Sequence, residues 1–368
     1  VPHCDDLAQE NIEWIGEDIA EKFTSAAADC SKLNDSAAKK DLSIVYTPLF
    51  GSGRDFVLDA LEKDGFSQVH LVKKQAGFDG KFPGLRKPNP EEPEVFRIAE
   101  REALQEHADL MIATDPDSDR IGAGVIQDSK AFFFTGNQIG ALLADFLSRQ
   151  GSVKGKIMVT TVVTGDLGSR IVTSRGATVI HTLTGSKFVC EEMNHMEAGE
   201  FLLGYEESHG YIGGMHIRDK DGVLAAMLLC ETAAWHKTQG KTLLDALEDL
   251  YEEYGYYIDE QDSFVFEGAK GAKEMQKIMA RLRSRRGSVF APLGKPDKIL
   301  DYEKGVDELP RSNVLKFFFP NGSWVAVRPS GTEPKIKFYY CIRGKDQRQA
   351  EDLYGAVQTS VEEFLRTF

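Results

Sequence analysis

No run of apolar residues in the 368-residue chain approaches the ~20 that a membrane-crossing helix needs. Cysteine is scarce and scattered: Cys4, Cys30, Cys190, Cys230 and Cys341 are odd in number and never spaced as CxxC. That excludes a disulfide framework, leaves structural zinc unsupported, and predicts reduced thiols in a cytoplasmic protein. Positive charge is in deficit. There are 44 Lys and Arg against 58 Asp and Glu, a formal net charge of −14. The chain therefore lacks the basic footprint of a nucleic-acid binder. Any phosphate it holds must be gripped by local Arg, Lys and backbone donors. A signal-peptide pattern is missing too, and the first residue is Val1. Either a processed chain or one that starts inside a longer protein is expected.

What is present is ordinary globular material, 42% hydrophobic and 28% charged. The length predicts several domains of roughly 100–150 residues each. Ile12, Ile15, Ile19 and Phe23 recur at a helical period, so Asn11 to Phe23 reads as a helix and 26–40 as a polar connector. From Leu42 onward, strand and helix alternate. The reading is strand, helix, strand, a long Gly/Pro loop over 78–93, helix, strand and helix, ending near Gln150. After Gly151–Gly155 the alternation restarts and runs to about Tyr257. Strands then follow one another, with a hairpin turn at Pro320-Asn321-Gly322 and a closing helix from Gln347. The fold class is α/β: two successive mixed α/β three-layer domains (41–151 and 152–257), then an α+β domain (258–368) with an antiparallel sheet.

Three loops carry candidate chemistry. Asp115-Pro116-Asp117-Ser118-Asp119-Arg120 follows an apolar strand. In an extended loop its three aspartates share a side and make a hard oxygen site suited to Mg²⁺. Arg120 adds a charge within reach of a phosphate. An EF-hand reading fails, since its sixth and twelfth positions here are Arg120 and Ile126. A solvated acidic turn stays open for the motif by itself. Gly204-Tyr205-Glu206-Glu207-Ser208-His209-Gly210 combines carboxylate, hydroxyl and imidazole at the end of a strand, where α/β proteins bind ligands. Alone it also reads as an ordinary polar loop. Arg328-Pro329-Ser330-Gly331-Thr332-Glu333-Pro334 lies between two strands and suits an anion, with Lys335 and Lys337 adding positive charge. A plain β-hairpin is the alternative there. Lys187 stands at a loop-to-helix junction that favours anions. Lys220, between Asp219 and Asp221, is a candidate acid/base or a solvated lysine.

The order of these loops, one per successive domain, resembles the α-D-phosphohexomutase superfamily, in its bacterial phosphoglucomutase/phosphomannomutase branch. Tyr46-Thr47-Pro48-Leu49, Asp79-Gly80-Lys81-Phe82-Pro83, Pro88-Asn89-Pro90-Glu91 and Arg218-Asp219-Lys220-Asp221-Gly222 support it, from about Leu42 to the C-terminus. The resemblance implies a phosphosugar mutase that converts glucose 1-phosphate to glucose 6-phosphate through a phosphoserine and glucose 1,6-bisphosphate. It implies Mg²⁺ on Asp115, Asp117 and Asp119, with Arg120 orienting phosphate and Lys220 in acid/base or phosphate contact. Glu206, Ser208 and, less directly, His209 would hold sugar hydroxyls. Arg328, Ser330, Gly331 and Thr332, helped by Lys187 and Lys337, would hold the phosphate that is not transferred. Such enzymes carry their serine in a T-A-S-H-N-P-type loop in a first domain, and no such sequence occurs here. The resemblance thus makes residues 1–40 the connector from that domain and the chain by itself inactive, a monomer or dimer working on hexose phosphates. A mutase for mannose or glucosamine phosphates and a non-catalytic metal- or sugar-phosphate-binding protein remain as alternatives. A Mg²⁺ phosphatase lacks an evident nucleophile.

Overall fold

A computed structural model describes residues 15–197, 199–266, 268–330 and 334–368. Asn11 to Trp14, Gly331 and Thr332 lie outside the described residues. The chain opens with α1 (Glu17–Ala28) and α2 (Ser36–Asp41). Both extend into the stretch expected to be a connector. Asp35 makes the second possible, accepting the N–H groups of Ala37 and Ala38 as an N-cap. Of the expected apolar stripe, Phe23 packs on Phe56, while Ile15 and Ile19 are exposed.

The first sheet contains β1 (Ser43–Thr47), β2 (Gln68–Leu71), β3 (Leu110–Thr114), β4 (Ile121–Gln127) and β5 (Lys130–Phe134). Its order is β2-β1-β3-β4-β5. β1 pairs in parallel with β2 and β3, and β4 and β5 add antiparallel. α3 (Gly53–Asp64) and α4 (Arg97–Glu106) make the crossovers. Alternation along the strands sorts side chains to two faces. Ile44, Tyr46, Leu110 and Ile112 share a core with Val57 and Leu61 of α3. Val45, Met111 and Ala113 share another with Ala99 and Ala103 of α4. Covered on both faces, β1 and β3 are buried throughout, which explains their unbroken apolar reading.

The second unit repeats this plan. It comprises α5 (Gly136–Arg149), β6 (Ile157–Thr161), α6 (Asp166–Ser174), β7 (Thr178–Thr182), α7 (Ser186–Met193), β8 (Phe201–Tyr205), β9 (Tyr211–Ile212), α8 (Gly222–Lys237) and α9 (Leu243–Tyr254). Its order is β7-β6-β8-β9, parallel except for β9. α8 is buried along almost its whole length and packs on α2, α3 and α5, joining the two units.

The third unit is antiparallel, in the order β10-β14-β13-β12-β11. Its strands are β10 (Tyr256–Val265), β11 (Lys298–Asp301), β12 (Leu315–Phe318), β13 (Trp324–Pro329) and β14 (Lys335–Gly344). α10 (Gly268–Arg285) and α11 (Gln347–Leu365) complete it. Phe317, Phe338 and Tyr340 form a core with Ile278, Leu282, Val357 and Val361 of the two helices. Tyr257, Trp324, Tyr339 and Cys341 face the other way and join the core of the first two units.

A buried ionic group fixes the N-terminal helices. Glu231 of α8 has no exposed surface; it accepts from Ser31 Oγ at 2.6 Å and from the N–H groups of Lys32 and Leu33. Lys39 reaches it at 2.8 Å and Asp64 at 2.6 Å.

Candidate active site

The acidic loop leaves the buried end of β3. Asp115 is fully buried; its Oδ1 accepts the Arg120 N–H at 2.9 Å and its Oδ2 the Arg120 Nε at 2.7 Å. Ser118 adopts φ 61°, turning the chain so that the three carboxylates converge. One oxygen from each of Asp115, Asp117 and Asp119 lies within 4.8 Å of the others. Desolvation raises Asp115 to about 6, against the pull of Arg120. Hard oxygens drawn this close, one of them desolvated, suit a small divalent cation such as Mg²⁺.

Backbone contacts clamp the loop from two sides. The Ser52 N–H donates to the Pro116 carbonyl at 2.9 Å, and the Gly222 N–H to that of Ser118 at 3.0 Å. Glycine is required at the contacts: a Cβ on Gly51 would come 2.3 Å from Cα of Pro116, and one on Gly53 2.2 Å from Oγ of Ser118.

The loop between β8 and β9 meets it edge to edge. Arg120 and Gly210 form an isolated antiparallel bridge, and the Ile121 N–H donates to the His209 carbonyl at 3.2 Å. Lys220 crosses this seam. Its Nζ lies 2.5 Å from Asp119, and its stem fills the space a Cβ on Gly210 would need. Burial lowers the Lys220 pKa, but Asp119 and then Glu206 outweigh it, and the net direction is up. Glu206 is buried and accepts the Gly185 N–H at 2.7 Å. Desolvation raises it, opposed by that bond and by the charges of Lys220 and Arg328. Desolvation and Glu206 push Glu207 up to about 7. The His209 ring is buried, at φ 66°, with Nδ1 2.9 Å from the Ile121 carbonyl.

Arg328 of β13 sits opposite Lys337 of β14 in the antiparallel register, so both side chains stand on one face. The same charge that offsets Glu206 also acts on Glu207. Ser330 donates its N–H to the Lys335 carbonyl at 2.8 Å, at the mouth of the third loop. Lys337 reaches Gln261 at 3.3 Å. Between the three units lies a cavity of about 240 Å³, lined by Glu91, Asn137, Glu207, Ser208, His209, Asp259 and Tyr339 among others.

Asp115, Asp117, Asp119, Arg120, Lys220 and Glu206 are thus brought together, with Ser208 and His209 at the adjoining cavity. Arg328 and Lys337 face that group from the third sheet. Lys187 is exposed, its Nζ 4.7 Å from the centre of the Phe188 ring. Sequence reasoning gave no role to Glu91, which pairs with Arg120 at 3.2 Å, or to Asp221, which caps α8 beside Lys220. An Asp two residues before an apolar helical run was a usable capping signal. Nothing local marked Glu91.

Two α/β units and an antiparallel unit that meet at a common cleft define a multidomain protein whose clustered carboxylates, with Arg328 and Lys337 facing them, suit a cation and an anionic ligand. The profiles of phosphoglucomutase/phosphomannomutase alpha/beta/alpha domain II, alpha/beta/alpha domain III and the C-terminal domain match residues 21–127, 135–254 and 265–357. The chain is 35% identical over 369 aligned residues to a phosphoglucomutase of Staphylococcus haemolyticus, covering 96% of this chain and 67% of that one. A phosphoglucomutase of Staphylococcus epidermidis is 34% identical, with 93% and 64% covered. The chain belongs to the phosphoglucomutase/phosphomannomutase family. It spans about two thirds or less of the length of the curated relatives it matches. The fold is that of pp63/parafusin, a phosphoglucomutase from Paramecium in an open form (TM-score 0.69, 21% identity, 93% of this chain and 61% of that one). It is also that of a putative phosphomannomutase from Thermus thermophilus (TM-score 0.67, 19% identity, 95% and 66% covered).

Proposed function

We propose that these three units form the metal-, sugar- and phosphate-binding part of a phosphoglucomutase that interconverts glucose 1-phosphate and glucose 6-phosphate. The observation that carries this is the seam between the acidic loop and the 204–210 loop, bridged at Arg120 and Gly210 and crossed by Lys220. It places the triad of carboxylates beside the carboxylates and hydroxyl that suit sugar hydroxyls.

Asp115, Asp117 and Asp119 would hold Mg²⁺, which when bound neutralises charge on a transferring phosphoryl group. Arg120 is held by Asp115 and Glu91, so its guanidinium is oriented before any ligand arrives. Lys220 is the cation nearest Asp119 and steadies negative charge on the same side. Glu206 and Ser208 accept and donate to sugar hydroxyls. Arg328, with Ser330, Gly331, Thr332 and Lys337, takes the phosphate at the far end of the hexose. Glucose 1,6-bisphosphate, with a phosphate at each end, fits the cleft in either direction. The phosphoryl donor would be a serine phosphate on a further domain, while these three units bind the hexose phosphate and stabilise its charge.

Conversion of glucose 1-phosphate with Mg²⁺ should be absent for the chain alone and appear when a family member's phosphoserine domain is added. Absence of conversion in both, together with no calorimetric binding of glucose 1,6-bisphosphate to the chain, would sink the proposal. Turnover on mannose and glucosamine phosphates in the same assay decides sugar preference.

A further inference from the structure

Away from these loops, one set of side chains has the composition of a reactive centre. Cys30 follows α1, and its Sγ lies 3.9 Å from Nδ1 of His216. Nε2 of that ring lies 3.1 Å from Oδ2 of Asp221. Cys30 and His216 are 186 residues apart in the chain, so tertiary folding assembles the group. Asp221 is anchored independently, since its Oδ1 accepts the N–H groups of Val223 and Leu224. Gly214 closes the group tightly; a Cβ there would come 2.8 Å from the sulfur and 2.9 Å from Nδ1.

Bonding to Asp221, then to Cys30, raises His216 to about 9. The ring is therefore cationic at neutral pH, with one N–H for the carboxylate and the other for the sulfur. The Cys30 thiol also donates to the Ala26 carbonyl at 3.4 Å, which holds the sulfur in place beside the ring. Cys30 is also half-buried, whereas Cys190, Cys230 and Cys341 are buried. It opens on a cavity of about 570 Å³ whose wall includes Lys32 and Lys156.

We propose that Cys30 is a nucleophilic thiol, activated by His216 and positioned through Asp221, that forms a mixed disulfide with a small anionic thiol compound. The reaction is exchange with a low-molecular-weight disulfide. The Cys30 thiolate attacks one sulfur, the old S–S bond breaks as the new one forms, and the second sulfur leaves as a thiolate that takes a proton from solvent. No further oxidant is required. The lysines at the cavity wall suit carboxylates on the incoming compound. Lys220 follows the same loop one residue before Asp221, so the adduct forms close to, but outside, the candidate active site.

The test uses the native chain at pH 7, treated separately with iodoacetamide and with oxidised glutathione, and peptide mass spectrometry to locate the label. Cys30 should be modified ahead of Cys190, Cys230 and Cys341. It should react about tenfold faster in the folded protein than in the urea-unfolded chain. His216→Gln should slow the native rate about tenfold, measured at a temperature where circular dichroism shows the variant still folded. A Cys30 that reacts more slowly folded than unfolded overturns the proposal, as does an unchanged rate in His216→Gln. Should that variant not fold, the folded-to-unfolded ratio decides alone. Labelling by iodoacetamide without any glutathione adduct overturns the anionic-ligand part. None of these readouts depends on mutase activity.

Discussion

Glu231 shows how much a single side chain can hold. It anchors the turn after α1 through two backbone N–H groups and a serine, and it neutralises Lys39 where neither is exposed. Its loss leaves Lys39 paired with Asp64 but takes the acceptor from Ser31 and from the N–H groups of Lys32 and Leu33. Glu231→Ala should therefore cost about 2–4 kcal/mol, read by urea denaturation, and Glu231→Gln clearly less. In the acidic loop, Asp115 is the ligand candidate already desolvated and aligned. Asp115→Asn should weaken Mg²⁺ binding about 100-fold by calorimetry. His216 sets a pH window. Its folded pKa of about 9 stands above the ordinary value near 6.5. The stabilisation is complete below about pH 6.5 and is lost as pH rises toward 9, on the order of 1–3 kcal/mol. Melting temperature against pH should show that decline, and His216→Gln should flatten it.

Among the elements, legibility followed how strongly each sequence pattern matched its own backbone. β1 and β3 read correctly because double-sided burial leaves continuous apolar runs. The β4–β5 hairpin was invisible for the opposite reason. β4 reads Ile-Gly-Ala-Gly, and its glycines answer to contacts from elsewhere: a Cβ on Gly122 would come 2.4 Å from the Pro90 carbonyl oxygen, and one on Gly124 2.7 Å from that of Phe132. Propensity cannot foresee such approaches. β9, two residues long, has no pattern to read, and the stretch that forms β11 carries no element in the sequence reading. α9 was missed although its signal was present. Thr242 and Asp245 make a capping box, and Leu243, Ala246, Leu247 and Leu250 form a helical stripe. At the candidate site, three loops could be named from sequence as candidates. The seam that joins two of them could not, because it is made of main-chain atoms. That seam's support is open to test at the glycines. Gly51→Ala places a Cβ against the Pro116 backbone, so it should lower Mg²⁺ affinity at least about tenfold while leaving most helical circular dichroism intact.

On the scale of the whole molecule, specific polar contacts add to the shared apolar core where the third unit meets the second. Lys316 of β12 is buried, donates to the Val162 carbonyl at 2.8 Å and lies over the Trp324 ring. Burial brings it down to about 8. Gly165 touches the Asp259 carboxylate of β10 so closely that a Cβ would come 2.4 Å from Oδ2. Gly165→Val should push β10 away and expose the interface. A larger radius of gyration by X-ray scattering and faster hydrogen exchange in β10 would register that shift, with the cores of the first two units unchanged. By contrast, the first two units are braced. α8 is tied at its start to the acidic loop through Gly222 and Ser118, and at its end through Lys237 to Asp109, which precedes β3 at 2.8 Å. β3 in turn ends at Asp115. Helix, strand and loop therefore close a mechanical circuit, with a strut of roughly 24 Å on one side. A load applied on that circuit is expected to reach the carboxylates. Stiffness at the acidic loop is then a property of the distant end of α8 as well, and a break at Lys237 should be felt at Asp119.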